Sequence, residues 1–388
     1  MKTGRFLLWL MPMIFIVSMV MDINIHYPMW MDEYYFYRLS SELPQYSTSV
    51  EWMYKDRPAL MNTTIDAVKS GFDLKAAATL TYTQPIFAHT PLPTILVWPL
   101  VKTLNIMADH RIIPHIEDQP GAMVVTPTST PADMLQQRAE TMTIILRLVP
   151  ISLFVLSMWL IYKLLERKVG LNAVFFILPV AVATIPIMGV DWFYWDAFMM
   201  FFFILTLYLM ETHPNSKWQY LTACCMINTK MFVPFYFLIP LVVMGFMQSR
   251  RKGILMAATG FSILPFYIVM VVVSKDLFYP FTHFLTGTWI TSFIYTHLFQ
   301  PSDILNFSMI SYLIFTLPVF IFFKKYPVYA ITLLVGLIYA WGSGLGISHL
   351  STMVYIGALA CPLVANELHL ATLLRRLLGR KSGVVADV

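Results

Sequence analysis

Charged residues are scarce in this chain: Asp, Glu, Lys and Arg make up 12% of its 388 residues, whereas a soluble domain carries roughly 25%. Apolar residues make up 58%. This balance excludes a soluble domain and predicts an all-α integral membrane protein. The net charge of +5 is small and scattered, with no basic patch between aromatic residues, so nucleic acid is not expected as a partner.

The motifs of several enzyme classes are missing as well. The three cysteines lie inside apolar segments and show neither a disulfide framework nor the spacing of a metal site. No nucleotide-binding glycine loop, zinc-protease motif or Gly-x-Ser-x-Gly occurs. The substrates are therefore expected to come from the membrane and the outside rather than from a cytoplasmic nucleotide. No internal repeat is visible, which weakens the case for an inverted-repeat transporter.

What the chain does contain is a series of apolar runs, each near the length of about 20 residues that crosses a bilayer. They predict about ten transmembrane helices, at 6–22, 139–163, 171–190, 197–211, 218–229, 231–248, 254–274, 306–323, 327–342 and 349–366. The short runs on either side of Lys230 fit either two tilted helices or one long helix. Prolines interrupt 90–107, so we expect an interfacial or re-entrant helix there.

The basic residues predict the topology. If the N-terminus is inside and 90–107 does not span, every tight basic cluster falls on the cytoplasmic face, as positive-inside bias requires. Both termini are then cytoplasmic, and a large first external loop, 23–138, holds most of the acids together with interfacial amphipathic helices. We expect a multi-pass protein of the plasma (inner) membrane, with the basic tail 368–381 lying on the cytoplasmic leaflet.

Two adjacent carboxylates, Asp32 and Glu33, lie shortly after the first predicted span, among Trp30, Tyr34 and Tyr35. Ionisable groups at a membrane surface are candidates for chemistry. Neighbours on a helix point about 100° apart, so only one of the two can face a reacting group. The other would be held by a cation or a backbone donor, and both are candidate catalytic residues.

Three basic side chains are candidates for binding a lipid phosphate. His89 precedes the 90–107 helix, whose first amides lack helical partners and favour an anion. Arg147 lies one or two turns inside span 139–163, and Lys230 is followed by a full apolar run. A cation in such a place either reaches back to water or meets an anion.

A further pair of acids, Asp191 and Asp196, flanks an aromatic stretch in a short external turn. Either acid could complete a divalent cation site with Asp32, because hard cations choose carboxylate oxygens. Mg²⁺ and Mn²⁺ are the candidate cofactors. The sequence leaves the metal dependence and the choice between the two acids open.

Taken in order, these residues resemble the motifs of the GT-C glycosyltransferases, in particular the protein O-mannosyltransferases and the lipid A aminoarabinose transferase. The resemblance rests on an Asp-Glu motif, a His-Pro-Pro-Leu motif, an Arg-Leu, a second external acid and a Thr/Ser-Lys. In this chain they match Asp32-Glu33, His89-Thr90-Pro91-Leu92, Arg147-Leu148, Asp191 or Asp196, and Thr229-Lys230. Thr90 departs from the pattern by replacing the usual first proline.

The resemblance covers residues 1–250 and implies a GT-C fold for that catalytic membrane module, with 251–388 adding C-terminal helices and the basic tail. It implies a polyprenyl-phosphate-linked sugar as donor, a lipid, glycan or protein as acceptor, and an active site outside the cytoplasm. Asp32 would accept the proton of the acceptor hydroxyl during inverting attack on the anomeric carbon, a contribution of about 10²–10⁴-fold. Glu33 would support Asp32, while the basic residues or a metal would stabilise the leaving phosphate.

Two other functions fit parts of the sequence. A flippase or transporter for a lipid-linked sugar would need polar residues near mid-membrane in both halves, but 254–274 and 306–323 carry no charged residue. A polysaccharide ligase or polymerase shares the donor class, yet it commonly depends on a large loop late in the chain, and the large loop here comes first.

Overall fold

The structure is a computed structural model. It describes residues 36–37, 40–41, 92–114, 141–183, 195–230, 233–268, 313–314, 316–342 and 347–368. Regular secondary structure in these ranges is helical throughout, and none of them contains a strand. The prediction of an all-helical protein is therefore confirmed for the described part of the chain.

Eight α-helices follow one another in the described ranges. They are α1 (Leu92–Asp109), α2 (Thr141–Ala183), α3 (Trp195–Thr212), α4 (Trp218–Ile227), α5 (Val233–Gln248), α6 (Arg250–Ala258), α7 (Pro327–Gly342) and α8 (Ile347–Glu367). Short 3₁₀ helices cover Thr259–Ile263, directly after α6, and Leu317–Phe320, ahead of α7. The helices α3, α4, α5, α7 and α8 coincide within a few residues with predicted spans, and α1 coincides with the predicted interfacial segment.

Two of the described helices are long and apolar enough to cross a membrane: Thr141–Val169 within α2, and α3. Three further apolar helices are shorter, at Val233–Gln248, Pro327–Tyr339 and Thr352–Glu367. A membrane location is thus supported by length and composition. The described residues do not show ten spans, nor do they show on which side of a membrane the termini lie.

Helix α2 differs from the prediction. The sequence predicted a turn between spans 139–163 and 171–190, but the helix continues without a break from Thr141 to Ala183. The residues between the two spans contain no proline, and Leu164 to Lys168 are good helix formers, so the helix continues through the charged segment and past Gly170. Its 43 residues extend over about 65 Å at 1.5 Å per residue, of which Thr141–Val169 is the candidate span.

Around Lys230 the structure shows two helices rather than one. Helix α4 ends at Ile227, and the Asn228 amide side chain donates a hydrogen bond to the carbonyl oxygen of Cys224. The Thr229 hydroxyl donates to the carbonyl oxygen of Met226. Such local bonds compete with helical continuation, and they leave Lys230 in the irregular connection before α5.

The helices form a bundle whose two ends are defined by their contacts. At one end Met142 and Leu146 of α2 pack with Trp195 of α3. At the other end Lys168 of α2 forms an ion pair with Glu211 of α3, so α2 and α3 run parallel. Helix α4 returns toward the start of α3, α5 leads away again, and the Gln248 side chain donates to the carbonyl oxygen of Met210.

We call these two ends the pair end and the basic end. The pair end contains Asp196, Lys230 and Tyr339, which are joined by hydrogen bonds. The basic end contains the turns that carry Lys168, Lys217, Arg250, Arg251, Lys252 and Lys325. Because α7 links Tyr329 beside Glu211 with Tyr339 beside Asp196, it spans the bundle antiparallel to α3.

Candidate functional site

The site that the structure assembles at the pair end is built on three elements. Asp196 lies in the first turn of α3, where the helix dipole favours a negative charge. Lys230 comes from the connection between α4 and α5, and Tyr339 comes from the last turns of α7. The three residues are thus distant in sequence, and only the packing of α3, α5 and α7 brings them together.

A network of short contacts joins these three side chains. The Lys230 Nζ donates to the Asp196 carboxylate, at 3.1 Å from Oδ1 and 3.3 Å from Oδ2. It also donates to the Tyr339 hydroxyl oxygen at 3.2 Å. The Tyr339 hydroxyl in turn donates to Asp196 Oδ1 at 3.3 Å, so each member of the network contacts both of the others.

The network is buried. Asp196 is 2% exposed, Lys230 is 6% exposed and Tyr339 is 1% exposed. An ion pair in such a place stabilises a fold little, because desolvation of two charges offsets their attraction. Ionisable residues inside an apolar bundle are by default candidates for function, and this pair is the one that the described residues bury most completely.

Two tyrosines belong to this site, although the sequence did not predict them as site residues. Tyr339 lies within the predicted span 327–342, and a buried tyrosine hydroxyl usually finds a hydrogen-bond partner. This rule predicts that the Tyr339 hydroxyl has a hydrogen-bond partner, but it does not say which residue that partner is. Tyr355 of α8 is also buried, and the Asp196 charge acts on it electrostatically. Its hydroxyl forms no hydrogen bond within the described residues.

Residues 36–37, which belong to the loop 23–138 predicted from the sequence, pack against this site. Phe36 is fully buried, and its ring lies 4.5 Å from that of Trp195, the neighbour of Asp196. The Tyr37 hydroxyl donates to Asn105 Oδ1 of α1 at 2.7 Å. Phe36 follows Glu33 by three residues, so the chain just after the Asp32-Glu33 pair is held at the pair end.

The other candidate residues fall into two groups. Arg147 is 4% exposed in the second turn of α2, near Leu146, which packs in one cluster with Trp195. It therefore lies at the pair end, and its phosphate-binding role stays a prediction. Asp32, Glu33, His89 and Asp191 lie outside the described residues, although α1 begins at Leu92, directly after the His89-Thr90-Pro91 segment.

No group of three or more His, Cys, Asp or Glu side chains comes together within the described part of the chain. Asp196 is the one metal candidate of the sequence that the structure describes. Both of its carboxylate oxygens accept hydrogen bonds from Lys230. This arrangement fits a counter-ion for an ammonium group better than one ligand of a divalent cation, and metal binding by Asp32 and Asp191 stays a prediction.

Comparison with known proteins adds no family to this picture. No protein-family model, no curated protein and no solved structure matches the chain.

Proposed function

We propose that this protein is an integral membrane glycosyltransferase of the GT-C type with about ten spans and both termini in the cytoplasm. It transfers a sugar from a polyprenyl-phosphate donor to an acceptor hydroxyl outside the cytoplasm. One observation carries the proposal: a lysine ammonium, Lys230, is buried at a break between two short helices and is held by Asp196 and Tyr339.

The chemistry of the donor explains why such an ammonium is useful. When the sugar leaves its carrier, negative charge develops on the phosphate oxygen, and a fixed cation in a site of low dielectric stabilises that charge. Asp196 accepts hydrogen bonds from the Lys230 ammonium group and holds it in place. Arg147, buried at the same end, supplies a second cation of the type that binds phosphate.

In this proposal Asp32 is the general base. Its carboxylate accepts the proton of the acceptor hydroxyl, the hydroxyl oxygen forms a bond to the anomeric carbon, and the bond from that carbon to the phosphate oxygen breaks. The configuration inverts because attack and departure occur on opposite faces. Packing of Phe36 on Trp195 beside Asp196 supports this assignment, because it ties the Asp32-Glu33 segment to the end that contains Lys230.

The location of the basic residues supports the proposed topology. Lys168, Lys217, Arg250 and Lys325 all lie at the end of the bundle opposite to Asp196 and Lys230. With that end in the cytoplasm, positive-inside bias is satisfied, and the Asp196–Lys230 network faces the outer leaflet, where the lipid-linked donor would be used.

The test is an assay of the purified full-length protein with a panel of polyprenyl-phosphate sugars, in which released polyprenyl phosphate is measured. We expect release that requires an added hydroxyl acceptor. Asp32→Asn should lower the rate by about 10²–10⁴-fold while the thermal unfolding midpoint stays that of the wild type. Lys163→Met, on the exposed ion pair with Glu166, is the control that should keep full activity.

The same assay separates the proposal from its rivals. A flippase would move the intact lipid-linked sugar across a vesicle membrane without releasing polyprenyl phosphate. A ligase or polymerase of polysaccharide would need a lipid-linked glycan as donor and would not release polyprenyl phosphate from a donor that carries a single sugar. Normal turnover by the Asp32→Asn variant would remove Asp32 as the base, and no release with any donor would contradict the glycosyltransferase proposal.

A further inference from the structure

An apolar groove lies on the bundle surface along α5. It lies between α5 and the chain from α6 through its following 3₁₀ helix, and its volume is about 720 Å³, within the range of roughly 300–1,000 Å³ that is usual for ligand sites. Its walls include Ile239, Val242, Val243, Ala257, Phe261 and Leu264. Phe261 is 70% exposed, so the groove opens at the surface.

Close contact between α5 and α6 fixes the shape of this groove. A Cβ atom on Gly245 would lie 2.9 Å from the Cα of Gly253, so the two backbones touch near the turn that joins the helices. Farther along, the Asn228 side chain donates to the Ser262 hydroxyl at 2.9 Å. Backbone contact therefore holds α5 and α6 together near their turn, and the Asn228–Ser262 hydrogen bond joins the segment after α6 to the end of α4.

The end of the groove at Ala257 lies close to a strongly basic turn. Helix α6 begins with Arg250, Arg251 and Lys252 after the N-cap residue Ser249. Both arginines are exposed, and neither forms an ion pair with another described residue. Ala257, on the groove wall, follows Lys252 by five residues, or about 7.5 Å along the helix.

An interfacial aromatic residue accompanies these charges. Arg251 acts electrostatically on Tyr220 in the first turns of α4, which places the start of α4 beside the basic turn. Trp218, the first residue of α4, is 65% exposed. Tryptophan is enriched where the apolar and headgroup regions of a membrane meet, so the start of α4 adds a residue typical of that boundary to the basic end.

We propose that this groove binds one anionic phospholipid of the surrounding leaflet, with an acyl chain between α5 and the α6 segment and the phosphate at Arg250 and Arg251. Charge complementarity selects this occupant, because a headgroup with net negative charge balances the two guanidinium groups, whereas a zwitterionic headgroup places its own cation next to its phosphate. The phosphate would lie at the basic end, opposite to the proposed donor site, and the proposal does not depend on the glycosyltransferase activity.

The test is lipid binding to the purified full-length protein, measured by native mass spectrometry. The probes are dioleoyl phosphatidylglycerol and dioleoyl phosphatidylcholine, which share their chains and differ in headgroup charge. We expect the anionic lipid to bind about 10- to 30-fold more tightly, since each basic residue near a lipid headgroup contributes about one factor of five. Equal affinity for the two lipids would overturn the proposal.

Two variants examine the two halves of the site. Arg250→Gln with Arg251→Gln should abolish the preference for the anionic lipid, whereas Arg167→Gln with Lys324→Gln, which removes two exposed charges from the same end, should keep it. Ala257→Trp should fill the groove and lower affinity for both lipids, whereas Leu255→Trp, on α6 but off the groove wall, should not.

Wild-type affinity in the Ala257→Trp variant would show attraction to surface charge alone and would overturn the groove as the binding site. A measurement on the unmodified protein covers the case in which a variant does not fold. Phosphatidylglycerol with six-carbon chains should bind several-fold more weakly than the dioleoyl form, and equal binding of the two would contradict the seating of a chain in the groove.

Discussion

The two ends of the bundle contain the same kinds of side chains in different surroundings. At the pair end, Asp196, Lys230 and Tyr339 form a closed network with almost no exposure. At the basic end, Glu211 accepts from Lys168 at 2.9 Å and from the Tyr329 hydroxyl at 3.0 Å, and the Lys168 side chain is 28% exposed. Each network thus consists of an acid, a lysine and a tyrosine, but only the network at the pair end is shielded from solvent.

That difference decides which network is suited to chemistry. Water and salt screen charges at an exposed end, so an ion pair there contributes little and responds little to a ligand. Charges at the buried end interact strongly. In the proposed function, the donor phosphate would bind beside a cation that is already desolvated and oriented. The basic end is better suited to holding a charged headgroup at a surface, which needs no buried ion.

The largest effect is expected from breaking the pair end on one side only. Lys230→Met leaves the Asp196 carboxylate buried without its cation and should lower the free energy of unfolding by about 3–5 kcal/mol. Lys163→Met, at the exposed pair with Glu166, should change it by less than about 0.5 kcal/mol. Chemical denaturation in detergent micelles measures both.

Removal of both charges should reverse much of this loss. When Asp196→Leu is combined with Lys230→Met, the buried pair becomes apolar, and such replacements are often neutral or stabilising. We expect the double variant to unfold at higher denaturant than Lys230→Met alone and to lack transferase activity. A single Lys230→Met variant with the wild-type midpoint would show that the pair is not buried in the folded protein.

A smaller effect should distinguish the two buried tyrosines of the pair end. Tyr339→Phe removes a hydroxyl that bonds to both charged residues and should cost about 1.5–3 kcal/mol, the range for hydrogen bonds to charged groups. Tyr355→Phe removes a hydroxyl without a hydrogen bond in the described residues and should be nearly neutral. Equal losses of unfolding free energy for the two variants would contradict the hydrogen bonds of Tyr339 to Lys230 and Asp196.

The sequence predicted the members of the pair end better than it predicted their arrangement. Lys230 and Asp196 were candidate site residues because a charge inside or beside an apolar run is costly and is often functional. Their pairing was not predicted, because residues 34 positions apart meet only through the packing of α3 with the α4–α5 connection. Asp196 was one of two candidate acids, with Asp191, for a divalent cation site, and in the structure its carboxylate forms an ion pair with Lys230.

The prediction of helices succeeded where apolar runs had clear ends. Helices α7 and α8 end within a few residues of the predicted bounds, because a basic pair precedes α7 and polar residues flank α8. The break expected near Lys168 was wrong, since charge alone does not end a helix in a segment without proline, and the single Gly170 does not interrupt it either. Side-chain caps at Asn228 and Thr229, by contrast, ended α4 after ten residues.

Backbone contact gives the next effect, at the basic end. Gly245→Ala would push a methyl group against the Gly253 backbone, at 2.9 Å from its Cα, and overpacking of this kind costs about 1–3 kcal/mol. Gly260→Ala meets only the side chains of Phe235 and Leu238, at 3.2 and 3.3 Å, and these can move. Unfolding midpoints compare the two, and a larger loss for Gly260→Ala would place the tight contact elsewhere.

The smallest effect concerns pH at the basic end, where Lys325 donates to Glu367 at 2.6 Å and the Tyr326 hydroxyl donates at 2.8 Å. The hydrogen bond from Lys325, and then that from Tyr326, lowers the pKa of Glu367 below its ordinary value of 4.5. A lowered pKa means that the unfolded chain binds the proton first. The stabilisation by Glu367 is therefore fully present above pH 4.5 and is lost as the pH falls through the folded-state pKa.

Thermal unfolding between pH 7 and pH 3 should show this dependence as a midpoint difference between the wild type and Glu367→Gln that shrinks in acid. In a Lys325→Gln background the difference at pH 7 should already be smaller, because the main cause of the pKa shift is gone while the Tyr326 bond remains. A difference that is constant down to pH 3 would mean that Glu367 acts through packing rather than through its charge. The exposed end would then differ from the buried one in kind, because the charge of Glu367 would add nothing to the stability of the fold.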